Sequence, residues 1–186
     1  MLRRILHIFA FALVAVLVGI TLLWWSCGPH QPSDAKLEEQ FRGHRTGLER
    51  IVAMMGEDRQ MSRIAFDFLW RQDTVAWPRP ESEWGISAER WDDYRRVFRE
   101  VGARDGSTRG ENSSDVIINV WSWGIVPAGI GVGYLHCGLP KNGSHPTEPP
   151  CIQIQDAGKG MFAPSTSYGC RYKRIAPDWF IYETSN

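Results

Sequence analysis

The residues best able to do chemistry are one histidine and two serines in the second half of the chain. His136 lies in an apolar segment, and Ser165 and Ser167 lie in a hydroxyl-rich stretch that follows it. If folding brings them together, the histidine could act as a general base for a serine nucleophile. The chain has no G-x-S-x-G motif to support that arrangement. A hydrolase with a site near these residues is therefore the alternative hypothesis, and no catalytic residue is predicted.

Three alternating glycines, Gly129, Gly131 and Gly133, invite comparison with nucleotide-binding loops. The dinucleotide fingerprint is G-x-G-x-x-G between a strand and a helix, so that the helix N-terminus meets the pyrophosphate. Here the third glycine comes one residue early, and a strand pattern follows it. Alternate glycines on one strand face more often allow a ring or a helix to pack closely. We therefore predict no cofactor.

The cysteines favour a disulfide over a metal site. None of the five histidines forms an H-x-x-x-H or H-E-x-x-H pair. His136 and Cys137 could bind zinc with Cys151 and Cys170 only if the fold converges them. In an oxidising compartment a disulfide is the simpler outcome. We predict a Cys137–Cys151 bond, with Cys170 as the alternative partner, and no metal ligands.

Aromatic side chains give the best hint of a binding function. The chain has nine Trp, and several of its aromatic residues fall in segments rich in Pro or Gly. Trp77, Trp84 and Tyr168 are the candidates for interaction residues. Rigid aromatic side chains in loops can anchor a protein interface. The other interpretation is that they fold back to cap the core.

Length and charge limit the possible partners. The chain has 186 residues, with 21 Lys+Arg against 21 Asp+Glu and a formal net charge of zero. Binding to nucleic acid needs an excess of basic side chains, so this balance argues against such a partner. The length allows one domain and a short appendage.

The first residues have the features of a membrane anchor. The apolar run 5–25 would span about 31 Å as a helix, which matches the hydrocarbon core of a bilayer. Arg3 and Arg4 precede it, which places residues 1–4 in the cytoplasm and the bulk of the chain outside. Trp24 and Trp25 suit the interfacial belt. The sequence therefore predicts a single-pass anchor.

Cys27 leaves a second form of attachment open. Ser26-Cys27 resembles the bacterial lipoprotein signal, in which a small residue precedes a lipid-modified cysteine. Trp24 and Trp25 depart from that signal, so the length of the apolar run favours an uncleaved anchor. Residues 26–33 then form a linker and 34–186 an exported globular domain.

The domain reads as helices followed by strands. Helical spacing predicts helices over Ser33–Met55, with Gly56 as the stop, and over Ser87–Val101. Gly43 and Gly47 on the first helix indicate close packing, either against another helix or, as we favour, against the sheet. Residues 61–71 alternate as one half-buried strand, and 102–114 reads as a polar loop. Further strands are predicted at 116–126, 130–137, 152–155, 170–175 and 179–184.

Together these elements predict an α+β fold. An N-terminal transmembrane helix precedes one domain, in which two helices pack on one face of a mostly antiparallel sheet. Each helix has a single apolar stripe and can bury only one side. The turns between the later strands are too short for parallel crossovers.

A resemblance supports this picture. The run from Ser87 to Gly102 resembles one found in small uncharacterised bacterial envelope proteins, membrane-anchored or lipoprotein-like and of unknown function. Gly133-Tyr134 and Trp179-Phe180-Ile181-Tyr182 also have counterparts there, and the similarity spans about 37–183. It implies a bacterial source and an α+β domain behind a membrane or lipoprotein signal. It implies no activity and no binding residue.

The leading hypothesis is a membrane-tethered envelope domain that is not an enzyme and works by binding a protein. An immunity protein against a periplasm-acting toxin is one specific form of it. The expected location is the bacterial cell membrane, with the bulk of the chain periplasmic or extracellular. A periplasmic hydrolase near His136, Ser165 and Ser167 is the alternative.

Overall fold

The computed structural model describes residues 13–14, 16–18, 30–71, 74–109, 114–125, 128–138, 163–164 and 171–185. Contacts divide the chain into two compact units, Met1–His30 and Gln31–Asn186. In the first unit, residues 13–14 and 16–18 are helical. Among the residues described, no helix is both long enough and apolar enough to span a bilayer. Most of the predicted anchor, 5–25, lies outside them, so it stays a prediction.

The first helix of the domain, α1, covers Asp34–Glu57. As predicted, Ser33 caps it, because the Ser33 hydroxyl accepts a hydrogen bond from the Lys36 amide. The helix runs through Gly56 and ends at Glu57, two residues beyond the predicted end at Met55, so the predicted stop at Gly56 is wrong. His44 departs from helical geometry, with φ −121° and ψ 18°, and kinks the helix.

Gly47 brings α1 against the second helix, α2, which covers Ala88–Val101. A Cβ on Gly47 would lie 2.5 Å from Cγ1 of Val101, whereas a Cβ on Gly43 would meet nothing within 4 Å. The expectation that these glycines pack against the sheet is therefore wrong. The close approach is between the two helices, and only Gly47 takes part in it.

The second helix follows its sequence pattern closely. The Ser87 hydroxyl accepts from the Arg90 amide, and Gly102 ends the helix with φ 72°, in the left-handed region that favours glycine. Its whole predicted apolar stripe is buried: Trp91, Tyr94, Val97, Phe98 and Val101.

A polar cluster ties the start of α2 to the end of α1. Asp58 accepts hydrogen bonds from Arg90 Nε and from the Tyr94 hydroxyl, both at 2.9 Å. Burial, together with the neighbouring Asp58 carboxylate, raises the pKa of Tyr94 well above its ordinary value. Tyr94 therefore stays a neutral donor to Asp58.

The single strand predicted over 61–71 is wrong, because these residues form a hairpin. Strand β1 covers Met61–Ile64 and β2 covers Leu69–Arg71, and the two pair antiparallel. The Ala65 amide donates to the Phe68 carbonyl at 3.0 Å and closes the turn. The sequence pattern did not predict this turn because its residues are apolar. Phe66 in the turn packs edge-on against Phe98 of α2, with ring centroids 5.7 Å apart.

A strand also lies in the predicted polar loop 102–114, which corrects that expectation. Strand β4, Ser107–Arg109, pairs antiparallel with β1 and with β5, Val116–Ile125. Gly106 makes this possible, because its φ is 75° and a Cβ there would lie 2.0 Å from the Ile64 carbonyl oxygen.

The remaining strands complete one sheet. They are β3 (Thr74–Val75), β6 (Ala128–His136), β7 (Ala163–Pro164), β8 (Arg171–Ala176) and β9 (Trp179–Ser185). Their order is β3-β2-β1-β4-β5-β6-β9-β8-β7, and every pair is antiparallel. The closing hairpin β8–β9 is confirmed, with Asp178 at φ 62° in its turn. The strand predicted at 152–155 lies outside the described residues.

Both helices share one core with the sheet. Phe41 of α1 packs against Tyr134 and Trp179, with ring centroids 5.8 and 5.3 Å apart. From α2, the Trp91 indole donates to the Ala65 carbonyl at 2.8 Å. The sheet side of this core includes Ile64, Ile118, Tyr134 and Ile181. The α+β class with an antiparallel sheet is therefore confirmed.

Candidate interaction surface

Strand register places eight side chains in one row on the face of the sheet away from these helix contacts. Because Ile64, Ile118, Tyr134 and Ile181 point into the helix-side core, their sequence neighbours point to the other face. Successive strand pairings connect those neighbours directly across the sheet. With the residues that the same pairings place beside them, the row in order is Val75, Trp70, Arg63, Thr108, Ile117, Leu135, Phe180 and Arg174.

Exposure changes along this row. Leu135 and Phe180 are 2% and 0% exposed and belong to a second apolar cluster with Cys137, Tyr172 and Tyr182. Towards the other end of the row the side chains are open, with Trp70 42% and Val75 46% exposed. The β1–β3 end of this face therefore offers apolar area to a partner.

Arg63 lies over two aromatic rings at this open end. Its guanidinium carbon lies 4.8 Å from the centroid of the Phe68 ring and 5.6 Å from that of Trp70. The two rings are themselves 5.5 Å apart. We name Arg63, Phe68, Trp70 and Val75 the aromatic surface.

The interaction candidates predicted from the sequence, Trp77, Trp84 and Tyr168, differ in how far they are exposed. Trp77 is 40% exposed and lies two residues beyond Val75. Trp84 packs edge-on against the buried Trp91, at 5.0 Å, and its indole donates to the Arg79 carbonyl at 2.6 Å. Trp84 therefore follows the interpretation that it caps the core. Tyr168 lies outside the described residues.

The residues of the hydrolase hypothesis are not brought together in the part of the chain that the structure describes. The His136 ring stacks edge-on against Trp179 at 4.8 Å, and burial lowers the pKa of His136. Its Nδ1 is buried without a hydrogen-bond partner. Ser165 and Ser167 lie outside the described residues, so nothing here connects them to His136.

Of the four cysteines, only Cys137 lies among the described residues. Cys137 is buried, with 3% of its surface exposed. Cys151, Cys170 and the lipidation candidate Cys27 all lie outside the described residues, so the pairing stays a prediction. Within the residues described, no group of three or more His, Cys, Asp or Glu side chains could hold a metal ion.

Sequence reasoning missed the aromatic surface because it missed the β1–β2 turn. On one continuous strand Phe68 and Trp70 alternate with polar residues and look half-buried. Once the chain turns at 65–68, Trp70 pairs with Arg63 instead. The signal that could have shown this is Asp67, a turn-favouring residue in the middle of an apolar run.

Comparisons with known proteins found no relative of this chain. No protein-family model matches the chain, and neither the curated proteins nor the solved structures searched give a match. The proposal below therefore rests on the geometry of the surface and on the sequence.

Proposed function

We propose that this chain is a membrane-tethered envelope domain that works by binding another protein through its aromatic surface. The observation that carries the proposal is the pair of exposed Trp70 and half-buried Arg63 on a strand hairpin. Trp and Arg are among the residues that contribute most to binding energy at protein interfaces.

Rigidity makes this surface suitable for binding. Trp70 and Arg63 are cross-strand partners, and both backbones are fixed by strand pairing. The Ser62 hydroxyl donates to the carbonyls of Trp70 and Arg71, which adds a side-chain tie across the same hairpin. A partner would therefore lose little of its binding free energy to ordering this surface.

The membrane tether is supported by the sequence. The apolar run 5–25 after Arg3-Arg4 has the length and flanking charges of a single-pass anchor with a cytoplasmic N-terminus. Lipidation at Cys27 is the alternative form of attachment. The predicted disulfide at Cys137 would fit an oxidising compartment such as the periplasm. An immunity protein against a periplasm-acting toxin is one form that this binding could take.

Alkaline phosphatase fused to the C-terminus tests the location. The fusion should be active, since the enzyme folds only after export. An expressed but inactive fusion would contradict the proposed topology. Cys27→Ser distinguishes the two attachments, because it should release a lipoprotein from the membrane and leave a transmembrane anchor in place.

Photo-crosslinking in cells tests the binding function. A benzoylphenylalanine at Val75 should crosslink to one defined envelope protein, because Val75 is the most exposed residue of the aromatic surface. The matched control is the same substitution at Arg50, an exposed position on α1. Absence of any crosslink from Val75, or the same crosslinks from both positions, would contradict the proposed surface.

A further inference from the structure

We infer that the protein segment bound by the aromatic surface is acidic and apolar: one of its carboxylates pairs with Arg63 while its apolar side chains cover Trp70 and Val75. The inference rests on the proposed function, since it names the chemistry of the partner for that same surface.

Among the described residues, each ring-stacked arginine on the helix side has a carboxylate partner. Arg45 lies over Phe41 and pairs with Glu49, and Arg90 lies over Tyr94 and pairs with Asp58. The third case is Arg95, which lies 3.7 Å from the Trp91 ring and pairs with Asp92. Stacking and ion pairing therefore occur together on that side.

On the other face, the two stacked arginines have no such carboxylate among the described residues. Arg63 lies over Phe68 and Trp70, Arg174 lies over Phe180, and neither has a salt bridge. The Nε atoms of both are buried without a hydrogen-bond partner. A planar guanidinium that stacks on a ring and has no ion pair among the described residues is suited to a carboxylate from outside.

Arg63 is the position where a partner can supply that carboxylate. Its neighbours in the row on the β3 side, Trp70 and Val75, are exposed, whereas Phe180 beside Arg174 is buried. A segment lying along the hairpin could therefore place apolar side chains on Trp70 and Val75 and an acidic one on Arg63.

A membrane surface is the competing occupant. Attraction to anionic lipid usually needs several Lys or Arg side chains close together. The eight-residue row has only two, Arg63 and Arg174, at positions five strands apart along the sheet. A directional bond from one fixed guanidinium therefore favours a protein carboxylate over a lipid bilayer.

The test uses the full chain in neutral-lipid nanodiscs, with 5-fluorotryptophan in place of Trp. Fluorine NMR follows the signal of Trp70, which is assigned as the one that disappears in Trp70→Phe. The probes are a short acetylated peptide that alternates leucine with glutamate, its leucine–glutamine counterpart, and anionic phosphatidylglycerol vesicles. We expect only the glutamate peptide to shift the Trp70 signal.

Variants then locate the carboxylate contact. Arg63→Gln should weaken binding of the glutamate peptide by about 10- to 100-fold, as for loss of a charged hydrogen-bonded pair. Arg63→Lys should weaken it less, because the charge stays while the planar fork is lost. Arg45→Gln is the matched control, since it removes a ring-stacked arginine from the helix side, and it should leave the affinity unchanged.

Several results would overturn the inference. These are a Trp70 shift of equal size with the glutamine peptide, a shift with the vesicles alone, no shift with any probe, or equal losses in Arg63→Gln and Arg45→Gln. A protein that crosslinks at Val75 in cells equally well after Arg63→Gln would also overturn it while leaving the proposed function standing. Absence of crosslinks from Val75 would remove the proposed function itself.

Discussion

The ring of Tyr182 lies across the backbone of Gly133, its directly paired residue on the neighbouring strand. A Cβ on Gly133 would lie 3.0 Å from Cε1 of Tyr182 and 2.0 Å from the carbonyl oxygen of Ile118. The Tyr182 hydroxyl reaches past it to donate to the Asn119 side-chain oxygen. The expectation that a ring packs on the alternating glycines is therefore confirmed at this position.

Gly133→Ala should destabilise the domain by about 3 kcal/mol or more, because backbone as well as the Tyr182 ring must shift. Urea unfolding of the two proteins measures the difference. Gly131→Ala is the matched control on the same strand: its Cβ would meet only the Thr184 hydroxyl, at 3.1 Å. That variant should cost less than about 1 kcal/mol. Equal losses in the two variants would contradict this account of Gly133.

The two glycines of α1 should respond in opposite directions to alanine. Gly47→Ala forces its Cβ against Val101 and should destabilise the domain by about 1–3 kcal/mol. Gly43→Ala meets no atom within 4 Å and should stabilise it by about 0.5–1 kcal/mol, because alanine favours the helix. Thermal unfolding of both variants tests the pair. A stabilised Gly47→Ala would show that the helices separate at this point without cost.

Removal of tryptophan side chains should separate the core from the surface. Trp91→Ala removes a side chain that is 3% exposed and should cost about 3–5 kcal/mol. Trp70→Ala should cost less than about 1 kcal/mol, because much of its ring is already in water. Trp84→Ala should fall between them, since its ring packs on Trp91. Chemical unfolding curves give all three values, and a large loss in Trp70→Ala would place that residue in the core.

Acid should weaken the fold through His136. Burial lowers the pKa of His136 in the folded state, against raising effects from Asp178, Asp115 and Glu49. The unfolded chain therefore binds more protons, so this contribution is complete above the ordinary pKa of about 6.5 and is lost as pH falls through the lower folded value.

The urea midpoint of the unmodified protein should therefore fall between about pH 7.5 and about pH 5 more than that of His136→Gln. The matched control is His44→Gln, at an exposed position of α1, which should keep the full pH dependence. If His136→Gln also keeps the full pH dependence of the urea midpoint, a group other than His136 causes that dependence.

The sequence predicted the elements whose signals are local. Ser33 and Ser87 cap their helices because a hydroxyl beside the first free amides is a short-range interaction, and Gly102 ends α2 by its own left-handed conformation. The β8–β9 hairpin follows from a turn between two apolar runs.

What the sequence did not predict depends on distant contacts. Strand β4 is polar and only three residues long, and it becomes a strand because β1 and β5 lie on either side of it. The turn at 65–68 is apolar because Phe66 packs on Phe98 of α2. Arg63 could be recognised as part of a surface only after the hairpin placed Trp70 beside it.

The irregularity in β5 between Asn119 and Trp121 has a consequence for how this chain can change. Asn119 pairs with Gly133 and Trp121 with Val132, so Val120 is an extra residue with no counterpart in β6. Val120 and Trp121 both join the helix-side core because of it. Loss of the single codon for Val120 would restore regular pairing and leave every other residue of β5 with its present partner in β6. The gene segment can therefore lose this one codon without a change of strand register, and the cost falls on the core, which loses the Val120 side chain.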